Sequence, residues 1–99
     1  MYFDIKQYQS AIQTYENLLK DYPETNNAER VRYMIARSAY LLAANSFVEK
    51  QEPRFREAVS YATEFLERYP KSEFKNEVSS FYDNSRKKLN QLTNVGYQN

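Results

Sequence analysis

The residue types that could do chemistry in this sequence are arginines and tyrosines set at helical spacing. Four of them follow one another at intervals of three, four and three residues: Arg30, Tyr33, Arg37 and Tyr40. Such intervals place side chains along one side of an α-helix. Arginine and tyrosine also anchor protein interfaces more often than most residue types. We therefore predict a partner-binding line here, with the alternative that both tyrosines pack on a neighbouring helix while the arginines are solvated.

The other polar residues do not predict catalysis. The sequence has no histidine and no cysteine, so it lacks the usual general base and the thiol nucleophile. Carboxylate pairs such as Glu64 and Glu67 have the spacing of a solvated helix face. The single glycine, Gly96, cannot form a glycine-rich phosphate loop. We predict no catalytic residue, no metal site and no cofactor.

The charge balance does not indicate nucleic acid as a partner. There are 14 basic and 13 acidic residues, for a net charge of +1, so no strong electrostatic field is expected around the molecule. The run from Arg86 to Lys88 fits the end of a helix, where cations favour the helix dipole. No apolar segment approaches the roughly 20 residues of a membrane span. If the protein is exported or anchored, the segment that does so is expected upstream of these residues.

The elements that carry these residues are predicted to be helices throughout. The 99 residues include one glycine and three prolines, too few turn-forming residues for a multi-stranded β protein. The length fits one domain, or a piece of a larger one. The sequence predicts an all-α fold over residues 1–92, followed by a frayed tail at residues 93–99.

A repeat organises these helices. Residues 8–23 align with residues 55–70 at a constant offset of 47 without a gap, and both copies end in Tyr-Pro. Each copy has apolar residues at the i, i+3, i+4 and i+7 positions of an amphipathic helix. Proline then ends the helix, because it lacks an N–H and clashes with the preceding turn. Self-similarity at a fixed period is typical of stacked helical repeats.

Four antiparallel helices follow from this pattern, as a right-handed stack of two repeats and a fraction. The first is predicted to end near Tyr22, the second to run from Ala28 to Phe47, the third to end near Tyr69, and the fourth to run from Phe74 to Leu92. Glu49 to Arg54, which include a proline, are predicted to form a loop. The candidate N-caps are Asn26 with Glu29, and Ser72.

Apolar stripes on these helices predict the core. The second helix carries Val31, Ile35, Ser38, Ala39 and Leu42 on one stripe, with Tyr33, Ala36 and Tyr40 on the next; the fourth carries Val78, Phe81, Tyr82, Ser85 and Leu89. Five aromatic residues match repeat-packing positions: Tyr15, Tyr22, Phe55, Phe65 and Tyr69. Two stripes on one helix indicate an inner helix that touches repeats on both sides.

These features resemble a known family. A small residue twelve positions before the terminating proline, at Ala11 and Ala58, is similar to the second-helix signature of the tetratricopeptide repeat. Residues 8–25, 35–40 and 65–74, with their Tyr-Pro-x-Ser/Thr ends, resemble the C-terminal repeats of the BamD family of outer-membrane assembly lipoproteins. The resemblance covers residues 8–89 of the sequence.

The resemblance implies a protein-binding scaffold in outer-membrane β-barrel assembly and insertion. Members of that family sit at the periplasmic face of the outer membrane on a lipidated N-terminal cysteine. The implied partners are the POTRA domains of the barrel assembly protein, docked on the C-terminal repeats, and other assembly lipoproteins. Some relatives carry a basic residue in the helix before the first Tyr-Pro, where this sequence has the uncharged Gln13 and Thr14.

Two alternatives stay open on the sequence alone. Tyr-Pro-x-Ser ends also occur in the Tol-associated coordinator family, which favours a general tetratricopeptide adaptor of the cell envelope. The other alternative is a self-associating structural module, because a cut solenoid exposes an apolar flank. Met1 to Phe3 and Ile5 would then be the remnant of a preceding helix.

Overall fold

A computed structural model describes residues 5–23 and 26–98, with side chains described as far as Leu92. These residues form four α-helices: α1 (Ile5–Asp21), α2 (Ala28–Ala44), α3 (Val48–Arg68) and α4 (Lys75–Gln98). No strand occurs in these ranges, and the predicted all-α, tetratricopeptide-like fold is confirmed. The possible remnant at Met1 to Phe3 lies outside the described residues.

The helices pack in the order expected of stacked helix pairs. Each helix packs on the next one along the chain, and α2 also packs on α4. Over the described ranges, the backbones of α1 and α3 do not come into contact. We call α2 and α4 the inner helices, because they pack on each other, and α1 and α3 the outer helices. The molecule is elongated, with extents of 48 × 28 × 25 Å.

The central helix, α2, is buried on the sides that the sequence predicts. Every residue of its first stripe is buried, and so is Ala36 of the second. The first stripe forms a cluster with Ile12 of α1 and Ala58 of α3. Ala36 belongs to a second cluster, with Ala62 and Phe65 of α3 and two apolar residues of α4. The core therefore consists of two apolar clusters on either side of α2.

The turn between α2 and α3 overturns one prediction. Glu49 to Arg54 are helical, because α3 begins at Val48 and contains Pro53; the predicted loop is wrong. α2 also ends at Ala44 instead of continuing to the predicted Phe47. Proline lacks the N–H that would continue the helical ladder, and its ring crowds the carbonyl four residues before it, so a helix can include proline where other contacts hold the start of that helix.

Ser46 supplies those bonds. Its hydroxyl donates to the Leu42 carbonyl at 2.5 Å and accepts from Arg54 Nη1 at 2.6 Å. Its carbonyl accepts from Gln51 Nε2 at 3.2 Å. Both Ser46 and Gln51 are buried. These contacts connect the end of α2 to the first turns of α3 and stabilise the helical start that the proline disfavours.

The two outer helices differ in burial at equivalent repeat positions. Phe65 of α3 is 1% exposed, whereas its counterpart in α1, Leu18, is 39% exposed. Tyr22 was expected in the core but is 64% exposed, so that prediction is wrong. The cause is that α3 packs on both α2 and α4, whereas α1 packs on α2 alone. The other four aromatic residues of the predicted core are buried (Phe55 and Phe65) or half-buried (Tyr15 and Tyr69).

Ser72, one of the predicted caps, makes hydrogen bonds in the turn just before α4. Its hydroxyl oxygen accepts from the Phe74 N–H at 3.0 Å, and its carbonyl accepts from the Lys75 N–H at 3.1 Å. The same hydroxyl donates to Glu29 Oε2 at 2.7 Å. The predicted pairing of Glu29 with Asn26 is wrong, because the N-cap of α2 is Asn27 and Glu29 faces α4.

Two further features of α4 concern its end and its outer side. The helix continues to Gln98, over residues 93–98 where the sequence predicts a frayed tail.

At the repeat offset of 47, the buried alanines of α2 correspond to polar residues that are exposed in α4. The pairs are Ala36 and Asp83, Ala39 and Arg86, and Ala43 and Asn90. In α2, Ala36 and Ala39 pack with residues of α3, so the matching side of α4 does not suit a further closely packed helix.

Candidate partner-binding site

The four predicted partner-binding residues lie on α2, beside the stripes that pack in the core. Arg30 and Arg37 are exposed, whereas Tyr33 and Tyr40 are half-buried. Helical geometry sets the two arginines two turns apart, about 10.5 Å along the axis. The predicted line therefore consists of two accessible cations and two tyrosines that contact other helices.

Tyr33 is fixed by contacts with the start of α4. Its ring stacks on Phe74, with centroids 4.2 Å apart and planes inclined by 10°. Its hydroxyl donates a hydrogen bond to Glu77 Oε2 at 2.5 Å. Burial, then the hydrogen bond to Glu77 and the charge of Glu77, raise the pKa of Tyr33 above its ordinary value, and Arg37 opposes the shift. Tyr33 is therefore a protonated donor at neutral pH, within the field of Arg37.

Tyr40 contributes mainly to packing between helices. Its ring centroid lies 5.1 Å from that of Phe81 in α4 and 6.3 Å from that of Phe55 in α3. It borders both apolar clusters. Tyr33 and Tyr40 thus adopt the packing alternative, and they hold α2 at a fixed distance from α4.

Arg30 and Arg37 have no carboxylate partner within the described ranges. The ion pairs found there are Arg32 with Glu64, Arg56 with Glu52, and Arg68 with Glu64. Met34 and Leu41 lie on the same side of α2, each four residues beyond an arginine, and are half-buried. Neither apolar residue was predicted as part of the site, although their spacing from the arginines was a usable signal.

A separate polar cluster lies between the two outer helices. A cleft of about 180 Å³ is lined by Glu16, Leu19, Arg32, Ile35, Tyr61 and Glu64. Arg32 Nη1 donates to Glu64 Oε1 at 3.0 Å, and Arg68 Nε donates to the same oxygen at 3.3 Å. The Tyr61 hydroxyl donates to Glu16 Oε1 at 2.9 Å. The charged groups of this cleft pair with one another and connect α1, α2 and α3.

Tyr61 is the titrating group most perturbed by that cluster. Burial raises the pKa of its phenol well above the ordinary value, followed by the hydrogen bond to Glu16 and by the negative charges of Glu16, Glu57 and Glu64. The residues that form this bond are 45 positions apart, so no local pattern in the sequence reveals it.

An exposed apolar pair stands at the turn between α2 and α3. Phe47 is 74% exposed and Val48 is 68% exposed, although large apolar side chains usually avoid full solvation in adjacent positions. The sequence analysis placed Phe47 at the end of the second helix and did not identify this pair. The Ser46 hydrogen bonds described above hold the turn that presents it.

Comparison with protein families extends these observations to the whole sequence. The YfiO family, described as outer membrane lipoprotein, matches residues 1–93. The chain belongs to this family. The match includes both repeat copies and all residues of the arginine and tyrosine line. No curated protein matches the sequence closely enough to count as a relative.

Membership of the YfiO family places the chain among lipoproteins of the outer membrane. In the part of the chain that the structure describes, no helix is long and apolar enough to span a bilayer. The described residues also contain no group of three or more acidic, histidine or cysteine side chains that could hold a metal ion.

Proposed function

We propose that this chain is a protein-binding scaffold of the BamD type, acting in outer-membrane β-barrel assembly and insertion. The observation that carries the proposal is the match to an outer membrane lipoprotein family over residues 1–93. The helical stack supports it, because such stacks present extended surfaces to partner proteins. In this proposal the protein works at the periplasmic face of the outer membrane, attached through a lipid anchor, and has no catalytic role.

The proposed docking surface is the line of Arg30, Tyr33, Arg37 and Tyr40 on α2. The partner is the POTRA region of the barrel assembly protein, with other assembly lipoproteins as further partners. Both arginines are exposed and lack a carboxylate partner in the described ranges. Arginine binds carboxylates through two parallel hydrogen bonds, so it suits such an interface. The fixed tyrosines reduce the ordering that binding requires.

Calorimetric titration with the POTRA domain nearest the barrel tests this proposal. We expect saturable binding that weakens by about tenfold or more in Arg37→Glu or Arg30→Glu, since each reversal replaces attraction with repulsion. Lys50→Glu is the matched control: it changes the net charge equally, at an exposed position in the first turn of α3. Absence of binding by a chain that circular dichroism shows to be helical would leave only the family and fold assignments.

Self-association by head-to-tail stacking of copies is the alternative to this scaffold function. The apolar flank of α1 includes Leu18 and Tyr22, and a second copy could cover it only with a helix of suitable surface. The end helix α4 has Asp83, Arg86 and Asn90 where α2 has buried alanines. Burying unpaired charges is costly, so head-to-tail stacking of copies through α4 is not the proposed function.

A further inference from the structure

One stripe on α2 alternates positive and apolar side chains along its whole length. The residues are Arg30, Met34, Arg37 and Leu41, at intervals of four, three and four. Both arginines are exposed, and both apolar residues are half-buried. These intervals place the four side chains on one face of the helix. The face therefore combines two charges with a shallow apolar strip.

Neighbouring contacts leave this stripe open. Tyr33 and Tyr40, which lie beside it, are turned to α4: Tyr33 stacks on Phe74, and Tyr40 lies 5.1 Å from Phe81. Glu77 accepts the Tyr33 hydrogen bond. Among the described residues no ion pair involves either arginine of the stripe. The charges on this face are thus available to a partner molecule.

We infer that the stripe receives an acidic amphipathic α-helix of a partner protein. Two carboxylates seven residues apart on that helix pair with Arg30 and Arg37, and an apolar residue between them packs on Met34 and Leu41. This inference rests on the proposed scaffold function and names the kind of partner element that docks. It excludes an extended strand as the main contact.

The spacing of the arginines favours a helix over a strand. Arg30 and Arg37 are separated by seven residues, which is about 10.5 Å along α2. Residues seven apart on a partner helix lie on one face at the same distance. Residues on one face of a strand repeat at about 6.7 Å and then at about 13 Å. A helix aligned with α2 therefore matches the spacing of both arginines, whereas a strand misses it by about 3–4 Å.

The test uses a synthetic peptide as a probe with the whole chain. The probe is a helical peptide with glutamates seven residues apart and a leucine four residues after the first. A control peptide of the same composition has its glutamates five residues apart, on different faces of the helix. In fluorescence anisotropy at low ionic strength, we expect micromolar binding of the probe, weakening with added salt as expected for exposed ion pairs. The control peptide should bind at least about tenfold more weakly.

Variants of the chain assign the contacts. Arg30→Glu and Arg37→Glu should each weaken probe binding by about tenfold or more. Met34→Ser should weaken binding without changing its salt dependence, whereas Lys50→Glu should leave binding unchanged. The inference is overturned if both peptides bind equally, or if neither arginine reversal alters probe binding.

Failure of this inference and failure of the proposed function are distinguishable. If the POTRA domain binds through the arginines but the probe peptide does not, the partner docks by another element and the helix inference is wrong. If the probe binds in the predicted way but the POTRA domain does not, the stripe is a site for acidic helices and the proposed partner is wrong.

Discussion

Ser85 shows how a single buried residue limits the stability of this stack. It is fully buried in α4, and its hydroxyl oxygen has no hydrogen-bond partner in the described structure. A buried hydroxyl without a partner costs about 1–3 kcal/mol. Its counterpart at the repeat offset, Ser38 in α2, is also buried, which indicates that a small residue is required where the helices approach closely.

We expect Ser85→Ala to raise the free energy of unfolding by about 1 kcal/mol, because alanine keeps the small size and removes the unpaired hydroxyl. Urea denaturation followed by circular dichroism measures the change. Ser80→Ala, at an exposed position of the same helix, controls for the helix propensity of alanine, which contributes about 0.5 kcal/mol. If the free energy of unfolding rose equally in both variants, the hydroxyl of Ser85 would have a hydrogen-bond partner in solution.

The raised pKa of Tyr61 predicts that the folded state loses stability at alkaline pH. Its pKa in the folded chain is raised by burial and by Glu16, so folding favours the protonated phenol. The resulting stability is fully present below the unfolded pKa of about 10 and is lost as the pH rises through the folded value. We expect Tyr61→Phe to reduce the loss of stability between about pH 9 and pH 11.

The comparison uses urea denaturation at several pH values. Tyr22→Phe is the control, since Tyr22 is 64% exposed and should leave the slope of the unfolding free energy against pH unchanged. The pKa of Tyr33 is also raised. Part of the slope of the unfolding free energy against pH should therefore remain in Tyr61→Phe. An identical slope in all three proteins would show that the Tyr61 hydrogen bond does not persist in solution.

At the scale of the helices, close approach of α2 and α3 depends on alanines. Ala62 of α3 is fully buried, beside Ala36 of α2 in the cluster shared with α4. We expect Ala62→Leu to destabilise the chain by about 1–3 kcal/mol, because an overfilled core displaces its neighbours. Thermal unfolding measures this effect. Ala44→Leu, at the exposed end of α2, should change stability little, and an equal effect at both positions would contradict tight packing at Ala62.

The sequence predicts most helix positions because repeat and periodicity act over many residues. The first stripe of α2 and the buried positions of α4 follow from amphipathic spacing, and the Tyr-Pro dipeptides mark the ends of α1 and α3 to within one residue. Pro53 misleads for a physical reason. Its effect on a helix depends on the bonds around it, here those of Ser46 with Gln51 and Arg54, and these side-chain contacts are not visible as a local pattern.

Burial and pairing are the parts of the site that the sequence leaves undetermined. The spacing of Arg30 and Arg37 correctly places two exposed arginines on one face, but it does not distinguish a free tyrosine from one that contacts α4. Tyr33 finds Phe74 and Glu77 more than forty residues away. These contacts depend on how α4 packs against α2 and α3. The sequence pattern around Tyr33 therefore does not predict them.

At the scale of the whole molecule, the two ends of the stack differ. The flank of α1 is partly apolar, whereas the corresponding side of α4 has Asp83, Arg86 and Asn90. We expect the triple variant with alanine at these three positions to self-associate more strongly than the original chain, because an alanine face allows close helix packing. Sedimentation equilibrium over a range of concentrations measures this. Equal association of the two proteins would mean that these residues do not prevent stacking.

The turn at Ser46 and Phe47 divides the chain into two helical hairpins of similar length. The contacts of α2 with α3 and α4 lie between these halves, and both apolar clusters include residues from each half. Two separate polypeptides, residues 1–47 and residues 48–99, are therefore expected to fold together when mixed. The protein would then serve as a fragment-complementation reporter, in which each half carries part of a fluorescent or enzymatic label and signal appears only on reassembly.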